Sequence, residues 1–193
     1  MKRFNHIQPI VLDRLSKELS PIYTYHCVAH TLDVIKSSAE ICDLEQISLQ
    51  EKELVLTAAL LHDTGFLVSY IDHELIGSLM WEDFLKDRQY SDDEIQLIKG
   101  MILSTKIPQS PKNLLSKILC DADLDYLGRN DFYDIGKTLL NEWSALGIVR
   151  DQEHWQNIQL NFLKAHNYFT ISNQNRREHT KQKHIKALEM DQR

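Results

Sequence analysis

The stretch that decides the fold of this chain is LVLTAALLHD, residues 54–63. An almost wholly apolar helical run ends here in two ionisable side chains, His62 and Asp63. Burying such groups without partners costs about 2–7 kcal/mol for each neutral polar group and more for a charge, and a bound cation would remove that cost. Adjacent helical residues point about 100° apart, so one ion reaches both only where the helix ends, and Gly65 supplies a turn there. The stretch predicts a buried helix that ends in a metal site.

Two other segments offer further ligands. Upstream, His26 and His30 are four residues apart, a spacing that places both imidazoles on one face of a helix. Downstream, a second apolar run ends in carboxylates two residues apart, at Asp121, Asp123 and Asp125. A mixed set of histidine nitrogens and carboxylate oxygens suits Mn, Fe, Ni, Zn or Mg better than a metal that prefers thiolates.

The composition is that of a globular protein with one core. The chain has 193 residues, 42% of them hydrophobic and 26% charged, which favours one domain over residues 1–193. We expect a metal-site core over about residues 20–130 and C-terminal helices over about 131–190. The net charge of −6 argues against general binding of nucleic acid or of an anionic membrane.

The cysteines and the first residues point to a cytoplasmic protein. Three cysteines in no C-x-x-C pair make a disulfide framework improbable and favour a reducing compartment: Cys27, Cys42 and Cys120. Residues 1–20 carry charges and no continuous apolar stretch, so we expect neither a signal peptide nor a membrane span.

Few residues in the sequence interrupt helices. Only six glycines and four prolines are present, which favours an all-α fold over a β fold with many tight turns. Apolar spacing and capping residues predict helices over residues 7–19, around His26 and His30, and over 49–62, 72–85, from 91 to before Pro108, 112–127, 131–146, 151–168 and 176–190.

The order of the ligands carries a resemblance to a known family. His30, then His62-Asp63, then Asp123 resembles the metal-binding signature of the HD-domain superfamily of metal-dependent phosphohydrolases. Residues 25–34, YHCVAHTLDV, are similar to the opening motif of cyclic nucleotide phosphodiesterases and their bacterial relatives. Residues 121–129 and 163–170 look like a group of mostly uncharacterised bacterial HD proteins. The resemblance implies a compact single-domain helical bundle of the HD-domain, phosphodiesterase-like type.

The resemblance also implies roles for the site residues. The metal ligands would be His30, His62, Asp63 and Asp123, and the catalytic residues His26 and Asp63, with His26 acting as a general acid that does not bind metal. We expect one tightly bound divalent ion, Mn, Fe, Ni, Mg or Zn, and Asp63 with water is able to hold a second Mg or Mn weakly. Three residues are candidates for holding that second ion or for supporting the first ligands, or are ordinary solvated side chains: His73, Asp121 and Asp33.

The expected reaction is hydrolysis of a phosphomonoester or phosphodiester, of a nucleotide or related small metabolite, by metal-activated water. Candidates to neutralise the substrate phosphate are Lys106, Arg129, Arg176 and Arg177. Five aromatic residues either stack on a base or pack in the core: Tyr25, Phe66, Tyr70, Tyr126 and Tyr168.

Two other functions stay open at this stage. One is a regulatory module that binds metal and nucleotide without turnover. The other is a di-iron oxygenase of the HD type, against which the shortage of histidines counts, since only His73 lies between Asp63 and Asp123. The expected partner is a small phosphorylated substrate, and a homodimer is compatible with the sequence.

Overall fold

The computed structural model describes residues 1–191, and all regular structure in that range is helical. The ten α-helices are α1 Lys2–Glu18, α2 Val28–Leu44, α3 Leu49–Leu61, α4 His73–Met80, α5 Glu82–Lys86, α6 Asp92–Ser104, α7 Leu114–Asp123, α8 Phe132–Ala145, α9 Gln152–Ala165 and α10 Ile171–Asp191. Short 3₁₀ helices follow α3 and α7, at Thr64–Leu67 and Asp125–Gly128. The predicted all-α fold is confirmed. No helix within residues 1–191 is both long enough and apolar enough to cross a bilayer.

Helix α3 lies at the centre of the first half of the chain. It packs against α1, α2, α6 and α7, and every residue from Glu53 to Leu61 is buried. A helix covered on all sides has no need of a polar face, which explains the continuous apolar sequence. Ser48 and Glu51 form a capping box that fixes where α3 begins. The central helix therefore delivers its C-terminal end, with His62 and Asp63, into the protein interior.

A second apolar cluster joins α8, α9 and α10 to the 3₁₀ helix after α7. Polar contacts hold the C-terminal helices against this 3₁₀ helix. The Asp125 carboxylate, 1% exposed, accepts hydrogen bonds from Arg177 at 2.7 and 2.8 Å and from Asn173 Nδ2 at 3.1 Å. Asp121 accepts from the backbone N–H groups of Phe169 and Thr170, both at 2.8 Å. The C-terminal helices are thus anchored on both sides of the residue that carries the predicted ligand, Asp123.

Several helix boundaries differ from the prediction. The helix predicted over 72–85 is two helices, α4 and α5, separated at Trp81, whose buried indole N–H donates to Thr64 Oγ1 at 2.9 Å. Helix α7 ends at Asp123 rather than at residue 127, and the chain continues as a 3₁₀ helix. Helix α10 begins at Ile171 rather than at residue 176. Thr170 caps this earlier start, because its Oγ1 accepts a hydrogen bond from the backbone N–H of Asn173 at 3.3 Å.

His166, which follows α9, is buried without a polar partner. Neither ring nitrogen has a hydrogen bond within the described residues, and the ring lies edge-on to Tyr168 at 4.6 Å between centroids. Its carbonyl oxygen accepts from Lys181 Nζ at 2.6 Å. Burial, followed by the charge of Lys181, lowers the pKa of His166 to about 4.

This environment predicts a loss of stability in mild acid. Below the ordinary pKa of 6.5, the unfolded chain takes up a proton on His166 that the folded protein does not accept until about pH 4. The free energy of unfolding should therefore fall by about 3 kcal/mol from this group between pH 7 and pH 4. In His166→Phe, urea unfolding at pH 7 and at pH 4.5 should differ by less than in the wild type. An equal acid loss in both proteins would contradict this assignment.

Candidate metal centre

His62 is held in one tautomer at the end of α3. Its Nδ1 lies 2.8 Å from the carbonyl oxygen of Ala59, which can only accept, so Nδ1 carries the proton. In the neutral ring, the form that binds a metal, Nε2 presents a lone pair on the other side. Burial alone would lower the pKa of His62, but without a metal the charges and hydrogen bonds of Asp63 and Asp123 raise it well above its ordinary value. The side chain is almost fully buried. A buried, oriented lone pair of this kind is the form in which histidine binds metals.

The other predicted ligands converge on this nitrogen. His30 Nε2 lies 3.3 Å from His62 Nε2, and Asp63 Oδ2 lies 3.4 and 3.1 Å from these two nitrogens respectively. Asp123 Oδ1 lies 3.2 Å from His30 Nε2 and 3.5 Å from His62 Nε2. The ligand atoms of His30, His62 and Asp123 all lie within 4.8 Å of one another. Atoms that share one ion at about 2.1 Å lie about 3.0–3.4 Å apart, so these distances fit a common ion.

The surroundings of these side chains fit a bound cation. Asp63 Oδ2 is a buried oxygen whose polar neighbours are the ring nitrogens of His30 and His62, at 3.4 and 3.1 Å. Burial alone would lower the pKa of His30, but the hydrogen bonds and charges of Asp123 and Asp63 raise it to about 9. Burial alone would raise the pKa of Asp123, but His30 and His62 hold it at about 2. Converging carboxylates and lone pairs require positive charge between them, and a divalent ion supplies it.

His26 lies beside the predicted ligands, and a carboxylate of α8 holds its ring. The Glu142 carboxylate, on α8, accepts from His26 Nδ1 at 2.5 Å and from the backbone N–H groups of His26 and Tyr25 at 3.0 and 2.9 Å. Burial alone would raise the pKa of Glu142, but these hydrogen bonds lower it, so the carboxylate is ionised. Because Nδ1 of His26 donates to Glu142, Nε2 is the ring nitrogen that remains available to a ligand in the cavity, which His26 lines.

The prediction that His26 and His30 share one helix is wrong. Helix α2 begins at Val28, after an extended Cys27, and His26 precedes it. The reason is Glu142, which takes the backbone N–H groups of residues 25 and 26 and holds the segment outside the helix. His30 is on α2, where the Tyr25 ring packs against it at 4.6 Å.

Phe66 forms the centre of a stack of three rings beside the site. His26 stacks on Phe66 at 4.4 Å between ring centroids, and His73 stacks at 4.0 Å. His73 Nε2 lies 3.7 Å from Asp63 Oδ1 and 3.4 Å from Glu74 Oε1. Gly65 permits this approach, since a Cβ at that position would lie 1.9 Å from the carbonyl oxygen of His73. The structure thus brings His73 to the predicted ligand Asp63.

The other two supporting candidates lie elsewhere. Asp33 accepts from Arg129 at 2.9 Å. Asp121 is fully buried and binds the segment at Phe169 and Thr170, and burial raises its pKa to about 6 despite those hydrogen bonds. Both side chains stabilise contacts between elements of the fold, and their hydrogen-bond partners are not predicted ligands.

A cavity of about 520 Å³ opens from the site. Asp63, Asp123 and His26 lie at its wall, and helices α8 and α9 form much of the remainder. Of the predicted phosphate-binding residues, only Lys106 lines this cavity, where it pairs with Asp72 at 2.6 Å. The three arginines lie outside it and are engaged by carboxylates: Arg129 by Asp33 and Asp131, Arg176 by Glu40, and Arg177 by Asp125.

Glu142 is the functional candidate that the sequence does not reveal. It lies 116 residues from its partner His26, within an ordinary amphipathic helix. Its only signal is its complete burial, which depends on the tertiary fold.

The five aromatic residues named from the sequence divide into two groups. Tyr25, Phe66, Tyr70 and Tyr126 line the cavity, whereas Tyr168 is buried outside it.

Comparison with known proteins defines the family. The HD domain family matches residues 28–125, which include all four predicted ligands, and the chain belongs to this family. HD domains bind divalent metals. An uncharacterised protein of Clostridium beijerinckii is 32% identical over 88 residues, 44% of this chain and 55% of that protein, so the match spans about half of the relative's length.

A solved structure shares the fold. It is the crystal structure of a predicted HD superfamily hydrolase from an uncultured Thermotogales bacterium, with a TM-score of 0.55 and 23% sequence identity. The similarity covers 83% of this chain and 86% of that one. The common fold therefore extends beyond residues 28–125 into the C-terminal helices.

The ligand geometry predicts which variants lose metal. His62→Ala and Asp63→Ala should each lose the tightly bound ion, because each removes a donor that faces the others at 3.1–3.5 Å. Added Mn²⁺ at about 100 times its dissociation constant should stabilise the wild type by about 2.7 kcal/mol and these variants far less. Elemental analysis and thermal unfolding measure both effects, and the exposed His6→Ala on α1 is the control. Full metal content in His62→Ala would contradict the site.

Proposed function

We propose that this protein is a metal-dependent phosphohydrolase that cleaves a phosphomonoester or phosphodiester of a small metabolite, in the class of nucleotides and related compounds. One observation carries the proposal. Two members of the converging four-residue set, Asp63 and Asp123, line one cavity together with His26, whose ring is held from behind by the Glu142 carboxylate. Hydrolysis of a phosphoester needs both an activated water and a proton for the leaving oxygen.

His30, His62, Asp63 and Asp123 would hold the ion. A divalent ion at this position supplies Lewis-acid activation of a phosphoryl oxygen and of the attacking water. The residues that hold it are fixed by the fold: His62 by its bond to Ala59, His30 by the Tyr25 ring, and Asp123 by the end of α7. Their positions do not depend on flexible surface loops, which favours a preorganised site.

His26 is the proposed general acid. Its Nε2 would give a proton to the leaving oxygen as the bond from phosphorus to that oxygen breaks. Glu142 keeps Nδ1 protonated and stabilises positive charge on the ring, and Phe66 holds the plane of the ring. Glu142 does not touch the cavity, so we assign it a positioning role.

The same pair distinguishes the proposal from its rivals. A module that only binds a nucleotide has no use for an oriented acid beside the ion, so the pair of His26 and Glu142 favours an enzyme. A di-iron oxygenase needs a second full ligand set. Within residues 1–191, His73 is the one further histidine with a ring nitrogen within 4 Å of a carboxylate oxygen of a predicted ligand.

A direct test is turnover of bis-p-nitrophenyl phosphate, p-nitrophenyl phosphate and a nucleotide panel by protein loaded separately with Mn, Fe, Ni, Mg and Zn. The proposal expects metal-dependent hydrolysis that is lost in His62→Ala and Asp63→Ala. Tight binding of nucleotides with no turnover under any metal would instead indicate the regulatory module.

The proposed acid role predicts a dependence on the leaving group. His26→Ala should slow hydrolysis of an alkyl phosphate ester by about 10²–10⁴-fold, because an alkoxide needs a proton to leave. Hydrolysis of the matching p-nitrophenyl ester should fall much less, since p-nitrophenolate leaves without one. Glu142→Gln should show the same pattern more weakly, with metal content unchanged in both variants. Equal losses on both esters would show that His26 acts by some other means.

A further inference from the structure

Each predicted carboxylate ligand has one oxygen beside the histidine nitrogens and a second oxygen with a different neighbour. For Asp63 the second oxygen is Oδ1, which lies 3.7 Å from His73 Nε2. For Asp123 it is Oδ2, which accepts a hydrogen bond from Gln109 Nε2 at 3.5 Å. The other oxygen of Asp123, Oδ1, lies 3.2 Å from His30 Nε2. A residue outside the predicted ligand set therefore holds the second oxygen of Asp123.

The side-chain amide of Gln109 turns its nitrogen toward Asp123 for a chemical reason. Nε2 also donates to the backbone carbonyl oxygen of Cys120 at 3.1 Å, and a carbonyl can only accept. Burial would raise the pKa of Asp123, but His30 and His62 hold it at about 2, so this carboxylate is ionised and also only accepts. A reversed amide would place Oε1 against two acceptors, so the neighbours fix which end is nitrogen.

The oxygen of the same amide is buried without a partner. No group within residues 1–191 makes a hydrogen bond to Gln109 Oε1. An unpaired buried acceptor costs about 1–3 kcal/mol, so the amide is not arranged for the greatest stability of the fold. A buried polar group of this kind calls for an explanation, and the pair of N–H donors on Nε2 provides one.

The two acceptors of this amide lie on the last turn of α7. Cys120 and Asp123 are three residues apart, which places them on the same side of the helix. The carbonyl of Cys120 is among the last four of α7, and such carbonyls lack a partner further along their helix. Because Gln109 contacts both this carbonyl and the Asp123 side chain, it fixes the rotation of the carboxylate relative to the helix.

The loop that carries Gln109, residues 105–113, is itself tied to α7. The backbone N–H of Ser110 donates to the carbonyl oxygen of Ser104 at 3.1 Å. The Sγ of Cys120 donates to the same oxygen at 3.2 Å. The backbone next to Gln109 is thus joined to the turn of α7 that its amide contacts, which favours a fixed position for the amide.

We infer that Gln109 is a positioning residue of the ion site: it holds Oδ2 of Asp123 so that this carboxylate binds the ion through Oδ1 alone. A carboxylate can bind a divalent ion through one oxygen or through both. Binding through one oxygen keeps a further coordination position open, which is a feature of catalytic rather than structural metal sites. The inference rests on the ion site of the proposed function and gives Gln109 no contact with the substrate.

The first measurement is the dissociation constant of Mn²⁺, obtained from the electron paramagnetic resonance signal of free Mn²⁺ as the metal-free protein is titrated. Gln109→Met should raise this constant about 10–100-fold, the usual effect of losing a hydrogen bond to a metal ligand. An unchanged constant would overturn the inference.

Gln174→Met is the matched control for this substitution. The Gln174 amide also donates to a backbone carbonyl oxygen, that of Tyr168 at 2.9 Å, and this hydrogen bond involves no predicted ligand. Gln174→Met should therefore bind Mn²⁺ as the wild type does. Gln109→Asn keeps an amide but shortens its reach, so it should weaken Mn²⁺ binding as well, and it serves as the test if Gln109→Met does not fold.

The second measurement separates a positioning role from a purely structural one. At saturating Co²⁺ every variant is fully loaded, and the visible absorption of the bound ion depends on the number and arrangement of its ligands. Loss of the Gln109 donor lets Asp123 bind through both oxygens, so the Co²⁺ spectrum of Gln109→Met should differ from that of the wild type and of Gln174→Met. If Gln109 only supports the fold, all three loaded proteins share one spectrum, and that result refutes the inference even where Mn²⁺ binding is weaker.

These outcomes are separable from those of the proposed function. A wild type that binds neither Mn²⁺ nor Co²⁺ refutes the ion site and, with it, the role of Gln109. A wild type that binds both ions but hydrolyses no phosphoester refutes the enzyme, and the changes expected in Gln109→Met would still establish the positioning role.

Discussion

The structure depends on one electrostatic constraint, the convergence of two histidine nitrogens and two carboxylates in the protein interior. Because His62 donates from Nδ1 to Ala59, its Nε2 faces His30, Asp63 and Asp123 with a lone pair. Acceptors that face one another without positive charge repel strongly at low dielectric. Protons offset this repulsion when the ion is absent, as the raised pKa of His30 shows, and a divalent ion offsets it better.

The rest of the fold places and encloses this convergence. The first half of the chain supplies all four predicted ligands through α2, the end of α3 and the end of α7. The second half supplies no ligand, but it provides Glu142 and the apolar wall of the cavity. Buried contacts of Asp121 and Asp125 with residues 169–177 tie the two halves together next to Asp123. The ion site and the cavity are thus fixed relative to each other by the fold.

Local patterns in the sequence singled out the four side chains that converge, and they predicted several helix ends. The apolar run before His62 predicts a covered helix, and the capping boxes at Ser48 and Ser91 predict where two helices begin. Both features are determined by residues close together in sequence. The arginines show the limit of this approach, since Arg129, Arg176 and Arg177 are correctly seen as basic but their carboxylate partners come from distant elements.

Long-range contacts account for what the sequence could not predict. The spacing of His26 and His30 suits a helix, yet Glu142 holds His26 outside it. The break at Trp81 likewise follows from a buried hydrogen bond to Thr64 rather than from a glycine or proline. Glu142 stands in no recognisable motif, so only the folded chain shows that it faces His26.

The measurement that tests the central claim most directly is anomalous diffraction from crystals of the Mn-loaded protein, recorded at the manganese edge. A peak bonded to Nε2 of His30 and of His62 and to a carboxylate oxygen of each of Asp63 and Asp123 is the predicted result. Manganese bound elsewhere, with these four side chains still linked only to one another, would contradict the account.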